Sequence, residues 1–295
     1  MAAGSRREPR PNRSRRIRET KSGRLLAWTL LGCIGVAGTP AAAVVDRYPG
    51  AAAAYLVSAD DVPLWGARTR ERLPPASLTK LMTALVAVES LAPGEVVTVS
   101  ARAARAGGAR MGLAAGARLA VDALLAGLLL RSGNDACLAL AEHLAGTEQA
   151  FVARMNRRAR ELQLADTHFA NACGFDAPAH HASAEDLTAL ARAVLAVPAL
   201  ARLTGLKRHT VVGEDGRRYS LVNGNVLIDL VPGMTGVKTG YTRRAGRCLV
   251  GSVERDGHRV LVVLLGGTDR WWDAVAMIEQ AFERVRVPAP GSSPR

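Results

Sequence analysis

Aromatic residues are scarce: Phe, Trp and Tyr together make up 4% of the 295 residues. Proteins that hold single-stranded nucleic acid need flat side chains on which bases stack, interleaved with cations along one groove. No basic stretch here carries them, so the net charge of +13 does not indicate a nucleic-acid partner. Acidic residues are the minority, 26 against 39 Lys and Arg, and +7 of the excess sits in residues 1–24. The thin remainder suits the neighbourhood of an anionic polymer or a membrane surface. Cysteine is also sparse. Neither a CxxC pair nor a pair of histidines at ligand distance occurs, which argues against a zinc site. With Cys33 in the N-terminal segment, Cys137, Cys173 and Cys248 remain, an odd number that implies no disulfide framework. His180-His181 lies on a Pro/Gly-containing loop and reads as surface rather than as a metal site. No internal repeat and no linker interrupt the chain.

A hydrophobic content of 48% is enough to build a core in a chain of this length. Its first landmark is an export signal. The Arg-rich stretch Arg6 to Arg24 runs into Leu25 to Val45, which carries no charge. Ala41-Ala42-Ala43 offers a small-x-small cleavage site, so a mature chain would begin near Val44. The same run reaches the ~20 residues needed to span a bilayer, which leaves a retained membrane anchor as the alternative. Leu30-Leu31-Gly32-Cys33 resembles a lipoprotein processing site, but the apolar run continues past it. Ser14-Arg15-Arg16 resembles part of a twin-arginine signal, but Arg18-Glu19 stands where that pattern is apolar. Either way the expected location is the periplasm or the outer face of the cytoplasmic membrane.

Periodicity divides the rest. Residues 53–58 and 63–67 read as a hairpin, and helical spacing follows in 78–89, 121–130, 136–144, 148–164 and 183–197, with Ser183 as an N-cap. Strands return at 236–241, 247–255 and 258–265, the last two joined by Asp256-Gly257, which suits a type I′ turn. A helix over 271–285 precedes a Pro/Gly/Ser tail. The expected fold is α/β: one antiparallel sheet of about five strands drawn from both chain ends, flanked by helices, with a mostly helical insertion over about 77–200. The expected organisation is an export segment or anchor (1–45), a single domain (46–286) and a flexible tail (287–295).

Three short motifs carry chemistry. In Ser77-Leu78-Thr79-Lys80 the spacing i, i+3 sets a lysine amine beside a serine hydroxyl on one helix face, a nucleophile with its base. The helix start contributes free N–H groups and a positive dipole end, suited to an oxyanion. Leu78, Leu81, Met82 and Leu85 bury that helix, and a buried lysine near another cation is more readily neutral. Ser132-Gly133-Asn134 sits between two helical segments and by itself would be an ordinary N-cap. Lys238-Thr239-Gly240 falls in a strand, where Gly240 admits a close backbone approach.

In this order and spacing the motifs resemble the penicillin-recognising serine peptidases, and more closely the low-molecular-mass D-alanyl-D-alanine carboxypeptidases of the β-lactamase/transpeptidase-like superfamily. The resemblance runs from about Ala54 to Phe282. It includes Arg72 through Thr83, Ser132-Gly133-Asn134-Asp135-Ala136, Thr167-His168-Phe169-Ala170-Asn171 and Gly236 through Thr242. It implies that Ser77 attacks a D-Ala-D-Ala carbonyl while Lys80 takes the proton, and that Ser132 relays the proton to the leaving amine. Asn134 would hold the substrate amide and orient Lys80. Lys238 would supply positive field and, with Thr239, meet the substrate carboxylate. Gly240 would line the strand to which the peptide adds, the N–H groups of Ser77 and Tyr241 would form the oxyanion hole, and Arg270 would assist carboxylate binding or stand as a solvated loop charge. The implied partners are peptidoglycan stem peptides and, as covalent inhibitors, β-lactams, with no metal or organic cofactor and a role in cell-wall organisation and cell shape.

Departures from the family pattern qualify this. Tyr241 stands where many such carboxypeptidases carry His, and the chain stops soon after its last helix, before the β-rich domain and amphipathic anchor of many relatives. That shortening resembles the single-domain endopeptidases that cut D-alanyl cross-links, which are kept as the alternative. A class A β-lactamase needs an ExxxN segment, and Glu148, Glu161, Glu185 and Glu214 are followed four residues on by Val152, Ala165, Ala189 and Arg218. Slow β-lactam turnover is therefore expected. An inactive β-lactam sensor or spore-type scaffold is disfavoured because every motif position is intact.

Overall fold

The computed structural model describes residues 44–286. The Arg-rich stretch, the apolar run to Ala41-Ala42-Ala43, Cys33 and the tail 287–295 lie outside the described residues.

The chain enters through β1 (Ala54–Ala59) and β2 (Val62–Ala67), joined by Asp60-Asp61, both left-handed as a type I′ turn requires. A 3₁₀ turn (Ala76–Thr79) leads directly into α1 (Lys80–Ser90). Next come β3 (Val96–Thr98), α2 (Ala101–Ala104), β4 (Arg118–Ala120), α3 (Val121–Leu130), α4 (Asn134–Ala145) and α5 (Glu148–Glu161). After a long loop follow α6 (Ala184–Leu195), α7 (Pro198–Thr204), β5 (Arg208–Val212), β6 (Arg218–Val222) and α8 (Leu227–Leu230). The chain then returns to strands with β7 (Met234–Thr242), β8 (Gly246–Arg255) and β9 (His258–Gly267), and closes with α9 (Arg270–Arg286). The main sheet is antiparallel, in the order β2-β1-β9-β8-β7. Strands from both ends of the chain thus form one sheet, as expected.

Its inner strands read as near-continuous apolar runs because both faces are covered. Tyr55, Val57, Val262 and Leu264 point to one side and pack with Met277, Ile278 and Phe282 of α9. The alternate residues Leu56, Leu261, Val263 and Val250 point to the other side and join a larger core built from α1, α3, α4 and α6. β7 lies at the sheet edge, and among the described residues no strand pairs with its outer side.

Most expected elements occur within a few residues of their limits, and Ser183 caps α6 by accepting from Asp186 N at 3.1 Å. The helix expected over 148–164 ends at Glu161, and Gln163 then turns left-handed (φ 58°). Two small two-stranded sheets, β3–β4 and the hairpin β5–β6, and the short helices α2, α7 and α8 were not anticipated. The three-residue strands β3 and β4 are too short to show alternation.

The cysteine expectation is corrected: Cys137 of α4 and Cys173 of the α5–α6 loop form a disulfide with Cα atoms 5.9 Å apart, leaving Cys248 buried and free. Their 36-residue separation carries no signature, because only packing of the loop on α4 brings them together. His180 is likewise corrected. It is 3% exposed and hydrogen-bonded, a core residue rather than a surface one.

Candidate active site

Pro75 ends the extended approach to α1, and the chain turns through Ala76, whose φ of 49° is left-handed, into the 3₁₀ turn carrying Ser77. The spacing of three puts Lys80 Nζ 3.1 Å from Ser77 Oγ. Lys80 is fully buried, and its amine also donates to the carbonyl of Cys173. Burial, and after it the neighbouring Lys238 ammonium, hold the Lys80 amine well below the usual lysine range. A neutral amine at hydrogen-bond distance from a serine hydroxyl can accept its proton.

Lys238 is 2% exposed and donates to Thr239 O at 3.1 Å. Burial, with Arg270 adding repulsion, pushes its amine down to about 7. β7 brings Gly240 against the turn that carries Ser77: a Cβ there would lie 3.1 Å from Ser77 N, from Ala76 Cβ and from Pro75 O. A side chain there would make these neighbours give way by a few tenths of an ångström. Tyr241, the next residue, is 65% exposed. Arg270, at the start of α9, donates to Gly240 O at 2.7 Å and stacks on Trp271. It is therefore half-buried and braces the strand, which excludes the reading of a solvated loop charge.

Ser132 adopts φ 56°, and its hydroxyl is buried with no hydrogen-bond partner among the described residues. An orphan hydroxyl is costly unless used, so it is the kind of group a reaction or ligand completes. The turn before it is tied to the edge strand through Gly224, whose N–H donates to Leu130 O at 3.1 Å and whose open side lies 3.6 Å from Thr239 Oγ1. Asn134 starts α4 and its Nδ2 donates to Gly107 O at 2.6 Å, while its backbone N–H donates to Ala109 O. The orienting contact to Lys80 expected of Asn134 is made here by the Cys173 carbonyl instead. Asp135, fully buried, accepts from the N–H groups of Met111, Gly112 and Leu113, pinning the 107–113 loop to the start of α4.

The sequence reading missed the 171–175 turn. Asn171 Oδ1 accepts from the N–H groups of Cys173, Gly174 and Phe175, which shapes the turn. The disulfide then fastens it to α4. Asn171 within Thr167-His168-Phe169-Ala170-Asn171 was the available signal, since Asn side chains favour such turns.

An edge strand bearing Lys-Thr-Gly, set beside a Ser-Lys pair at the start of a buried helix and packed on a five-stranded antiparallel sheet, defines the β-lactamase/transpeptidase-like class of active-site serine proteins. Comparison with known proteins narrows this. Residues 63–269 match the profile of the peptidase S11 family, described as D-alanyl-D-alanine carboxypeptidase. The chain is 36% identical over 229 residues to D-alanyl-D-alanine carboxypeptidase DacF of Bacillus subtilis, a span of 75% of this chain and 59% of DacF. The Streptomyces K15 DD-transpeptidase structure superposes with a TM-score of 0.76 at 27% identity, covering 81% of this chain and 100% of that one. A putative penicillin-binding protein homologue of Mycobacterium tuberculosis, Rv2911, gives 0.77 at 31% identity, covering 86% and 98%. The chain belongs to the D-alanyl-D-alanine carboxypeptidase family. It spans about three-fifths of the length of DacF and about half that of the matching Escherichia coli carboxypeptidases.

Proposed function

We propose that this protein is an exported serine-type D-alanyl-D-alanine carboxypeptidase that trims peptidoglycan stem peptides and is acylated by β-lactams at Ser77. The observation that carries the reading is the fully buried Lys80 amine on the Ser77 hydroxyl, held well below the usual lysine range by burial and then by Lys238. The stem peptide adds to the free edge of β7, so main-chain bonds hold it and Thr239 with Lys238 meets its terminal carboxylate. Ser77 Oγ attacks the penultimate D-Ala carbonyl as its proton passes to Lys80. The tetrahedral oxyanion is met by the N–H groups of Ser77 and Tyr241. Collapse breaks the C–N bond as the proton reaches the departing D-Ala amine through Ser132. Water then hydrolyses the ester on Ser77, returning the hydroxyl. Asn134 meets the substrate amide, and Arg270 acts on the carboxylate through the strand it braces.

Intact-protein mass spectrometry after incubation with benzylpenicillin tests this. One adduct on the Ser77 peptide, and free D-Ala released from a pentapeptide, is the expected result. An adduct retained by Ser77→Ala refutes the assigned nucleophile, and cleavage of cross-linked dimers without D-Ala release refutes the substrate.

Export and membrane attachment rest on the charge step from Arg24 to the apolar run at Leu25. N-terminal sequencing of the protein from fractionated cells separates cleavage after Ala43 from a retained anchor.

A further inference from the structure

Beside the nucleophile lies a chain of hydrogen bonds that the Ser77–Lys80 chemistry does not use. His180, on the loop between α5 and α6, is buried with its ring edge against Phe169, centroids 5.9 Å apart. Its Nδ1 faces two donors, the backbone N–H of Ala170 at 3.0 Å and Asn171 Nδ2 at 3.4 Å. A nitrogen facing two donors must accept, so the ring proton sits on Nε2. Nε2 lies 2.7 Å from Thr79 Oγ1 and donates to it. The Thr79 hydroxyl in turn donates to Ala76 O at 2.8 Å.

That carbonyl belongs to the peptide joining Ala76 to Ser77. In a trans peptide the C=O and N–H point in opposite directions from one rigid plane. Fixing the Ala76 oxygen therefore fixes the direction of the Ser77 N–H, which, near the start of a helical turn, has no intrahelical partner. The peptide needs holding, because Ala76 is left-handed (φ 49°), an unfavourable state for an L residue. Gly174 closes over the same carbonyl: a Cβ there would lie 1.9 Å from Ala76 O.

The geometry points to His180 as a positioning residue for the oxyanion donor, acting through Thr79 on the Ala76–Ser77 peptide. This rests on the reading of Ser77 as the acylated serine. Asn171 shapes the 171–175 turn with its own bonds, so His180 is not the sole support of that loop.

The test separates the two nitrogens. His180→Asn keeps an acceptor near Ala170 N and loses the donor to Thr79, whereas His180→Gln reaches Thr79 and loses the acceptor. Thr79→Val removes the hydroxyl at nearly constant shape. Acylation by a fluorescent penicillin is followed by stopped flow, with thermal unfolding of each variant alongside. Loss of a whole oxyanion donor costs ~10²–10³-fold, so a misdirected one costs ~10–100-fold. His180→Asn and Thr79→Val should each acylate ~10–100-fold more slowly with little change in noncovalent affinity, and their combination should lose no more than either alone. His180→Gln should stay near the wild type. Wild-type acylation by His180→Asn, an equal loss in His180→Gln, or a multiplicative loss in the double variant overturns the inference. Absence of a Ser77 adduct in the wild-type protein overturns the functional reading, and this inference with it.

Discussion

Replacing Lys238 by Met should stabilise the fold and abolish the reaction. The amine is buried, and burial with repulsion from Arg270 moves it from an ordinary 10.5 to about 7. At 1.36 kcal/mol per pH unit, charging Lys238 in the folded protein costs about 5 kcal/mol more than charging it in the unfolded chain. The hydrogen bond to Thr239 O returns about 1 kcal/mol, so the advantage of Lys238→Met at pH 6 is about 4 kcal/mol. Its pH dependence follows from the sign. Below about 7 the lysine is protonated in both states and the full penalty stands. Between 7 and 10.5 the unfolded chain binds the extra proton, so wild-type stability rises with pH by up to about 1.4 kcal/mol per unit and the advantage shrinks. Above 10.5 the amine is neutral in both states and no electrostatic advantage remains. Urea unfolding of both proteins from pH 6 to 10 measures this; groups remote from Lys238 cancel in the difference, while Lys80, which the Lys238 ammonium also depresses, rises in the variant. A difference that stays flat with pH, or a variant less stable at pH 6, refutes the reasoning.

Three further outcomes are expected. Ser132→Ala removes an orphan buried hydroxyl, so it should unfold at the same temperature or slightly higher, a gain of about 1 kcal/mol, while benzylpenicillin acylation falls ~10²-fold or more. Replacing Cys137 and Cys173 by Ser opens a loop of 36 residues and should cost about 4 kcal/mol in denaturant unfolding; a thiol reductant applied to the wild type should do the same. Gly240→Ala forces Ser77 N, Ala76 and Pro75 to give way by a few tenths of an ångström, so acylation should drop ~10–100-fold in stopped-flow assays with a melting temperature close to the wild type.

Much of the molecule is written locally. Apolar runs bounded by turn residues announce β1, β8 and β9, and the Asp256-Gly257 turn joins the last two because both its residues accept left-handed backbone. The Ser77–Lys80 contact is also local, since a helical spacing of three residues places the two side chains together whatever surrounds them. The sequence by itself therefore determined the strands of the main sheet and the Ser77–Lys80 contact.

Tertiary structure decided the rest, because it joins residues far apart in sequence that bear no mark of one another. The Cys137–Cys173 bond, the Cys173 carbonyl on Lys80, the burial of His180 behind Thr79 and the grip of Arg270 on Gly240 all depend on how the α5–α6 loop and α9 pack. The Lys80 amine is held well below the usual lysine range because the fold removes water from it and sets Lys238 nearby, and no property of residues 77–80 alone encodes how completely it is desolvated.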